Sequence, residues 1–216
     1  MSEVPRKVRR MDPASRESAI LKCAAEIVAK EGISAVTMDR VAQESGVSRS
    51  LIYVYFPNTT VLLQELYLRE TQALRKRQKE ESVLIEGFDD YIRCLTVLYL
   101  EHVKEKGNFM TKLMHDPSVT EVVQSNFSRA RRIGGIAIAE RITKKYDIPL
   151  SVSVHVADIG MGLSARAGDH TQRFGLPLAA AADLTIAMIL GAIEGAVQSY
   201  RRGELKLPDE ERLETE

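Results

Sequence analysis

Residues 45–57, SGVSRSLIYVYFP, concentrate side chains whose chemistry suits a nucleic acid. An arginine can donate a pair of hydrogen bonds to guanine, a leucine can contact a thymine methyl, and serine or tyrosine hydroxyls can bind phosphate oxygens. Gly46 lies between two helical patterns, where a turn with positive φ is least strained for glycine. The segment therefore predicts a helix-turn-helix whose small core contains Val41, Val47 and Ile52.

The outer side of this motif is the part that a partner would contact. With the core residues pointing inward, the helical period places on that side Arg49, Ser50, Leu51 and Tyr53, with Tyr55 at its edge. Residues 6–60 carry nine basic and six acidic side chains, a net charge of +3, although the whole chain is neutral. Spacing alone leaves the alternative of a helical hairpin without any partner. The basic surroundings and the aromatic residues favour a nucleic-acid surface.

Apolar residues recur at helical spacing almost throughout the chain, and no segment of convincing length alternates as a strand does. We therefore predict an all-α fold. Asp12 or Ser15 opens the first helix and Gly32 ends it, while Thr37 and Ser48 cap the next two. The later helices are predicted to start at Pro57 or Asn58 and run to 77–79, then at 87–106, about 118–146, 151–170 and 177–202.

These elements predict a small basic head and a larger helical body. The segments are a flexible basic arm (1–14), the helix-turn-helix domain (15–60), a linking helix (61–80), a helical body (81–203) and an acidic tail (204–216). For the arm, PRKVRR, two interpretations stay open, namely insertion into a minor groove and a solvated tail without a partner.

Several features of the head occur in a fixed order: Gly32 after the first helix, Thr37 opening the second, the Gly-Val-Ser turn at 46–48, and the aromatic run at 52–57. Residues 15–68 resemble, through these motifs, the DNA-binding head of the TetR family of transcriptional regulators. The remainder resembles the family only in being long and helical. The resemblance implies an N-terminal three-helix domain joined through a fourth helix to a larger ligand-binding and dimerisation domain. It also implies a homodimeric, cytoplasmic, nucleoid-associated repressor of a palindromic double-stranded DNA operator.

The resemblance also implies roles for individual residues of the head. It implies phosphate contacts from Thr37, Ser48, Tyr53 and Tyr55, and base-edge contacts from Arg49, Ser50 and Leu51.

This chain departs from the family pattern at three positions of the head. Thr59 stands where lysine is frequent and weakens one phosphate contact, and Ser50 stands where glycine is frequent. Asp39 stands where some members have a basic base-contacting residue; it interacts favourably with the helix dipole but repels phosphate, and Arg40 is expected to compensate.

The last two helices are apolar on nearly every side, which a monomer of this size would not cover. Pairing across a two-fold axis into a four-helix interface would cover them. Gly191 and Gly195, four residues apart, leave a flat face on which another helix can lie. The predicted dimer interface comprises Gly160, Leu163, Ala187, Gly191, Glu194 and Gly195.

The body also has candidates for a pocket that would hold a small hydrophobic or amphipathic effector, as the resemblance implies. For any one of them plain core packing is the better alternative, since methionine and aromatic side chains fill irregular gaps without binding anything. The candidates are Tyr91, Leu95, Tyr99, His102, Phe109, Met110, Leu113, Met114, Phe127, His155 and Ile159.

The sequence contains little that would support catalysis, and we predict no enzyme activity, no metal and no cofactor. It lacks a glycine-rich phosphate loop, a Cys-x-x-Cys pair and a serine elbow. Cys23 and Cys94 lie in apolar patterns and predict reduced, buried thiols. In residues 178–200, Asp183 and Glu194 leave only ten uncharged residues between them, so we predict a helix buried in protein and no membrane segment. Two alternatives remain, a ligand-independent architectural dimer on DNA and a helical enzyme.

Overall fold

The computed structural model describes residues 12–107, 112–113 and 135–205. Within these ranges the regular structure is entirely helical, which confirms the predicted all-α fold. The chain divides into two compact units, Met1–Tyr67 and Leu68–Glu216. We call the described residues of the first the head and those of the second the body. The helices are α1 (Pro13–Glu31), α2 (Met38–Ser45), α3 (Arg49–Tyr55), α4 (Thr59–Ser82), α5 (Phe88–Lys106), α6 (135–146), α7 (Leu150–Phe174) and α8 (Leu178–Arg201).

α1 begins and ends where its sequence signals place it. The side chain of Asp12 accepts a hydrogen bond from the backbone N–H of Ser15 at 2.9 Å, and Pro13 occupies the first turn. Gly32, with φ 95°, ends the helix, and a single 3₁₀ turn then leads to α2. The apolar stripe of α1 is buried in the head: Ile20, Leu21, Cys23, Ala24, Ile27 and Val28.

The turn between α2 and α3 has the geometry that its glycine predicts. Gly46 adopts the left-handed conformation with φ 69° and ψ 18°, and the Val47 N–H donates to the Ala42 carbonyl at 3.2 Å. Val41 and Ile52 are fully buried, and Val47 is 7% exposed, which confirms the predicted core of the motif.

The two predicted caps of this motif have different outcomes. The Thr37 hydroxyl accepts the Arg40 N–H at 3.2 Å and caps α2 as expected. Ser48 occupies the cap position of α3, but its side chain makes no capping hydrogen bond, so that part of the prediction is wrong. Its Oγ instead lies 3.4 Å from the Oγ of Ser50.

The body packs α5 against α7 and α8. α5 supplies Phe88, Tyr91 and Ile92 to a core that α8 completes with Ile189 and Ile193. Near its far end, α5 lies so close to α7 that a Cβ at Gly168 would be 3.1 Å from a methyl of Val103. The Gln172 side-chain amide also donates to the Val103 carbonyl at 2.8 Å. α4 and α7 extend to Ser82 and Phe174, several residues beyond their predicted ends.

Only one side of α8 is buried within the protomer, so the prediction of a helix buried in protein depends on the second copy that is expected to cover the other side. By length and apolar composition, α8 alone among the described helices could span a bilayer, and it is partly buried within the protomer. Its opposite side carries Leu184 and Met188, which are 57% and 52% exposed. Ala187, Gly191, Glu194 and Gly195 of the predicted interface are exposed as well.

Two further members of the predicted dimer interface lie elsewhere, on α7. Gly160 is buried and Leu163 is half-buried against the body core. Gly160 is therefore not on an accessible surface of the protomer, which corrects its assignment. The periodic pattern of α7 gave no way to tell its inner from its outer side, because small and apolar residues occur all around the helix.

Candidate nucleic-acid interface

One face of α3 is buried in the head and the other is open to solvent. Ile52 is fully buried, whereas the side chain of Arg49 is 69% exposed. Tyr53 and Val54 are 43% and 76% exposed. The exposed positions 49, 50, 53 and 54 share one face, because residues four apart lie one above another on a helix. We call Arg49, Ser50, Tyr53 and Val54 the outer face of α3.

The remaining predicted DNA-contacting residues surround this outer face to different degrees. Thr37 and Ser48 are exposed at the starts of α2 and α3. Leu51, Tyr55 and Thr59 are half-buried, so each presents only part of its side chain. The head therefore brings hydroxyl, guanidinium and aliphatic groups together around one short helix, and these are the chemical types that contact phosphates and base edges.

Val54 belongs to the outer face, but it is not among the predicted DNA-contacting residues. Its exposure of 76% is the largest of the large apolar side chains that the structure describes in the head. An exposed valine beside an arginine and a tyrosine suits contact with a thymine methyl group. The signal was present in the spacing, because Val54 follows Ser50 by four residues and Arg49 by five.

Arg40 is engaged within the head and does not point freely toward a partner. Its Nη1 and Nη2 lie 2.8 Å and 2.5 Å from the two carboxylate oxygens of Glu31, and its Nε lies 2.6 Å from Glu44. These two carboxylates raise the pKa of the guanidinium, and Arg40 in turn lowers the pKa of Glu31. The phosphate contact expected of Arg40 would require these ion pairs to break.

The predicted pocket residues of the body do not form one cavity among the described residues. Tyr91 is core, with the Cζ of Arg141 3.9 Å above its ring, and Leu95 and Tyr99 are half-buried in the core clusters. Leu113 is fully buried. Phe109, Met110, Met114 and Phe127 lie outside the described residues.

Ile159 is 78% exposed, so it lines no pocket in the protomer. The error has the same cause as that at Gly160, since α7 is apolar on both its inner and outer sides.

Two predicted pocket residues do share an unusual feature. The Nε2 atoms of His102 and His155 are buried, and neither has a hydrogen-bond partner among the residues that the structure describes. Thr71 Oγ1 on α4 is in the same situation. Buried polar atoms are normally paired, so each of these atoms is a candidate contact for a bound polar group or water.

A cleft in the described part of the body lies elsewhere, with a volume of about 280 Å³. It is open to solvent and lies where α5 and α7 end and the chain turns into α8. None of the predicted pocket residues lines it, and no group of three potential metal ligands occurs within the described ranges. Its lining residues are Leu100, Val103, Lys104, Gly168, Thr171, Gln172, Gly175, Leu176, Pro177 and Leu178.

We expect His102 to make the body less stable in mild acid. Burial lowers the pKa of its imidazole below 6.5, against the opposing effect of Glu70. The unfolded chain therefore takes up a proton that the folded chain resists, and the free energy of unfolding falls as the pH drops below about 6.5. A single protonation can change the free energy of unfolding by at most about 1.4 kcal/mol for each pH unit. Urea unfolding at pH values from about 7.5 to about 5.5 measures it.

The variant His102→Gln should show a shallower loss of stability over that pH range than the native chain. His170→Gln is the matched control, because His170 is an exposed histidine of the same unit. Equal pH dependence in the native chain and His102→Gln would contradict the assignment.

Comparison with known proteins supplies the family of the head. Residues 20–66 match the model of bacterial regulatory proteins of the tetR family. No curated protein matches the chain.

Solved structures share the fold over most of the chain. A TetR-like transcriptional regulator from Rhodococcus sp. RHA1 is 20% identical, with a TM-score of 0.66 over 86% of this chain and 100% of its own. A protein described as a transcriptional regulator from Pseudomonas aeruginosa PAO1 is 13% identical, with a TM-score of 0.73 over 90% and 98%. A Saccharomonospora viridis protein described in the same way, in complex with choline, is 19% identical, with a TM-score of 0.61 over 84% and 96%. At these identities the likeness establishes the fold.

Proposed function

We propose that this chain, whose head carries a regulatory-protein domain of the tetR family, is a homodimeric, sequence-specific DNA-binding repressor that a small ligand releases from its operator. The observation that carries the proposal is the outer face of α3, which presents arginine, serine, tyrosine and valine on a helix-turn-helix. The second helix of such a motif enters the major groove, while the hydroxyl groups at helix starts bind phosphates.

The exposed side of α8 supports the dimer. Gly191 and Gly195 lie on this side of α8. Apart from the backbone of α8 itself, a Cβ built at either would meet no atom within 4 Å. A glycine inside a helix lowers its stability by about 1 kcal/mol relative to alanine. Since the protomer gains no packing from these glycines, their place is better explained by a second helix that lies on this face. Two copies would present two α3 helices to successive major grooves, about 34 Å apart.

Two buried imidazole nitrogens support an effector site in the body. His102 on α5 and His155 on α7 each have a buried ring nitrogen that can bind a polar group of the ligand. Apolar side chains of both helices belong to the body core. The choline complex of a similarly folded protein fits a ligand of small size and partly apolar character. A ligand releases DNA only if it binds one arrangement of the dimer more tightly than the other. α4, which runs from Thr59 to Ser82, begins in the head and ends in the body and would transmit that preference.

The variant Arg49→Ala tests the DNA contact directly. The native chain first selects its preferred sequence from a randomised duplex library, and binding is then measured to that duplex and to versions with single base-pair changes. Arg49→Ala should lose about 1–3 kcal/mol of discrimination at one base pair, because it removes the fork that binds guanine. Tyr53→Phe is the comparison, and it should weaken binding to all duplexes by similar amounts, because it removes a phosphate contact.

A native chain that enriches no sequence would contradict the proposal, and an unchanged preference in Arg49→Ala would remove that residue from the base-contacting set. Thermal unfolding against a metabolite panel separates ligand control from a ligand-independent architectural dimer. An effector should raise the melting temperature and weaken operator binding.

A further inference from the structure

An ion pair joins the two helices of the helix-turn-helix on their solvent side. The Oδ1 atom of Asp39, in the first turn of α2, lies 2.7 Å from the Nε atom of Arg49, the first residue of α3. The two side chains are 58% and 69% exposed. The carboxylate that departs from the family pattern is thus in contact with the arginine that is best suited to bind a base.

The fold of the head does not depend on this ion pair. An exposed pair contributes little to stability, because water screens the charges and two long side chains lose conformational freedom. The buried contacts of Val41 and Ile52 already hold α2 against α3. The position of the pair therefore calls for an explanation outside folding, and its exposure places it where a DNA partner would lie.

From this contact we infer that Asp39 is a positioning residue for Arg49, and that the pair sets sequence discrimination in the DNA binding proposed above. The carboxylate contacts the Nε edge of the guanidinium. The closest approach is at Nε, and the terminal Nη1 and Nη2 groups form the fork that can donate to O6 and N7 of guanine. A carboxylate against the Nε edge of the guanidinium restricts the direction of the Nη edge, so Arg49 loses less conformational freedom when DNA binds.

The negative charge of Asp39 has a second effect on the same face. It repels the phosphates of any DNA that the head binds. This repulsion has its largest effect where Arg49 finds no correct base, because phosphate attraction supplies most of the affinity for non-specific DNA. On the correct sequence, the guanine contact of the positioned Arg49 offsets this repulsion. Asp39 therefore lowers non-specific affinity and raises the ratio of specific to non-specific binding.

The variant Asp39→Asn in the full dimeric chain tests the inference. The probe is the duplex selected by the native chain, together with its single base-pair variants and an unrelated duplex. We expect discrimination at the base pair assigned through Arg49→Ala to fall about 3- to 10-fold, and discrimination elsewhere to stay unchanged. Affinity for the unrelated duplex should rise, with a steeper dependence on salt.

Glu44→Gln is the matched control, because it removes the same charge from the same helix but from a carboxylate that pairs with Arg40. It should leave discrimination at that base pair at the native value. A melting temperature close to the native one in both variants excludes a folding effect. In the Arg49→Ala background, Asp39→Asn should no longer change discrimination, since there is no guanidinium left to position.

Native discrimination in Asp39→Asn, or an equal loss in Glu44→Gln, would overturn the positioning role. These outcomes differ from failure of the proposed function, in which the native chain itself selects no sequence from the library.

Discussion

Replacing Leu184 and Met188 together by aspartate should convert the proposed dimer into a monomer and weaken operator binding about 100-fold or more. Both side chains are more than half exposed on the open side of α8. In a two-fold interface each chain would bury two carboxylates without partners against the same face of its copy, which is strongly unfavourable. Once the heads are no longer linked, each one binds its half-site alone, and the gain in effective concentration is lost.

Light scattering and sedimentation give the mass directly, because the monomer is 24.1 kDa. Val83→Asp combined with Leu84→Asp is the matched control, since it makes the same chemical change at two exposed aliphatic residues outside α8. That control should stay dimeric and keep operator affinity. A Leu184→Asp/Met188→Asp chain that remains dimeric and binds as the native chain does would place the interface elsewhere.

The head was predictable in detail because its signals are local. Asp12 and Thr37 each accept a hydrogen bond from the backbone N–H three residues further on, and Gly46 adopts the left-handed conformation that glycine tolerates. The helical period then determined which side of α3 is buried. Where a predicted contact failed, another partner was available: the hydroxyl of Ser48 lies near the hydroxyl of Ser50, two residues further on, instead of a helix N–H.

The ion pairs of the head were not predictable, because they depend on how helices cross. Arg40 pairs with Glu31 across the junction of α1 and α2, and Arg49 pairs with Asp39 across the turn. Arg49 was assigned to DNA from its place on the outer side of α3 and from the family resemblance, and Arg40 was expected to compensate for Asp39. Only tertiary structure distinguishes an arginine whose terminal nitrogens are held by carboxylates from one whose closest carboxylate contact is at its Nε.

The body was predictable in its helices but not in its surfaces. α7 and α8 are rich in small and apolar residues on all sides, so no hydrophobic period separates inside from outside. This is why the exposed Ile159 was assigned to a pocket and the buried Gly160 to an interface. A cavity between helices depends on the volume left by every neighbour, which no single-helix pattern encodes.

The buried and the exposed faces of α3 should respond differently to substitution. Ile52→Ala should lower the free energy of unfolding of the head by about 2–5 kcal/mol, because it removes a fully buried side chain from the core that α2 and α3 share. That is a large fraction of the stability of a small domain, so the head would be partly unfolded at moderate temperature. Binding to every duplex should fall together, because the groove-binding helix itself is lost.

Val54→Ala is the matched control, two residues away on the same seven-residue helix and 76% exposed. It should change the free energy of unfolding by less than about 0.5 kcal/mol. Discrimination should fall at one A·T base pair, where the valine methyl groups would contact thymine. Hydrogen exchange of the α2 and α3 amides reports the stability, and the duplex variants report the binding. If Val54→Ala destabilised the head as much as Ile52→Ala, or if Ile52→Ala preserved binding, α3 could not be the helix that enters the groove.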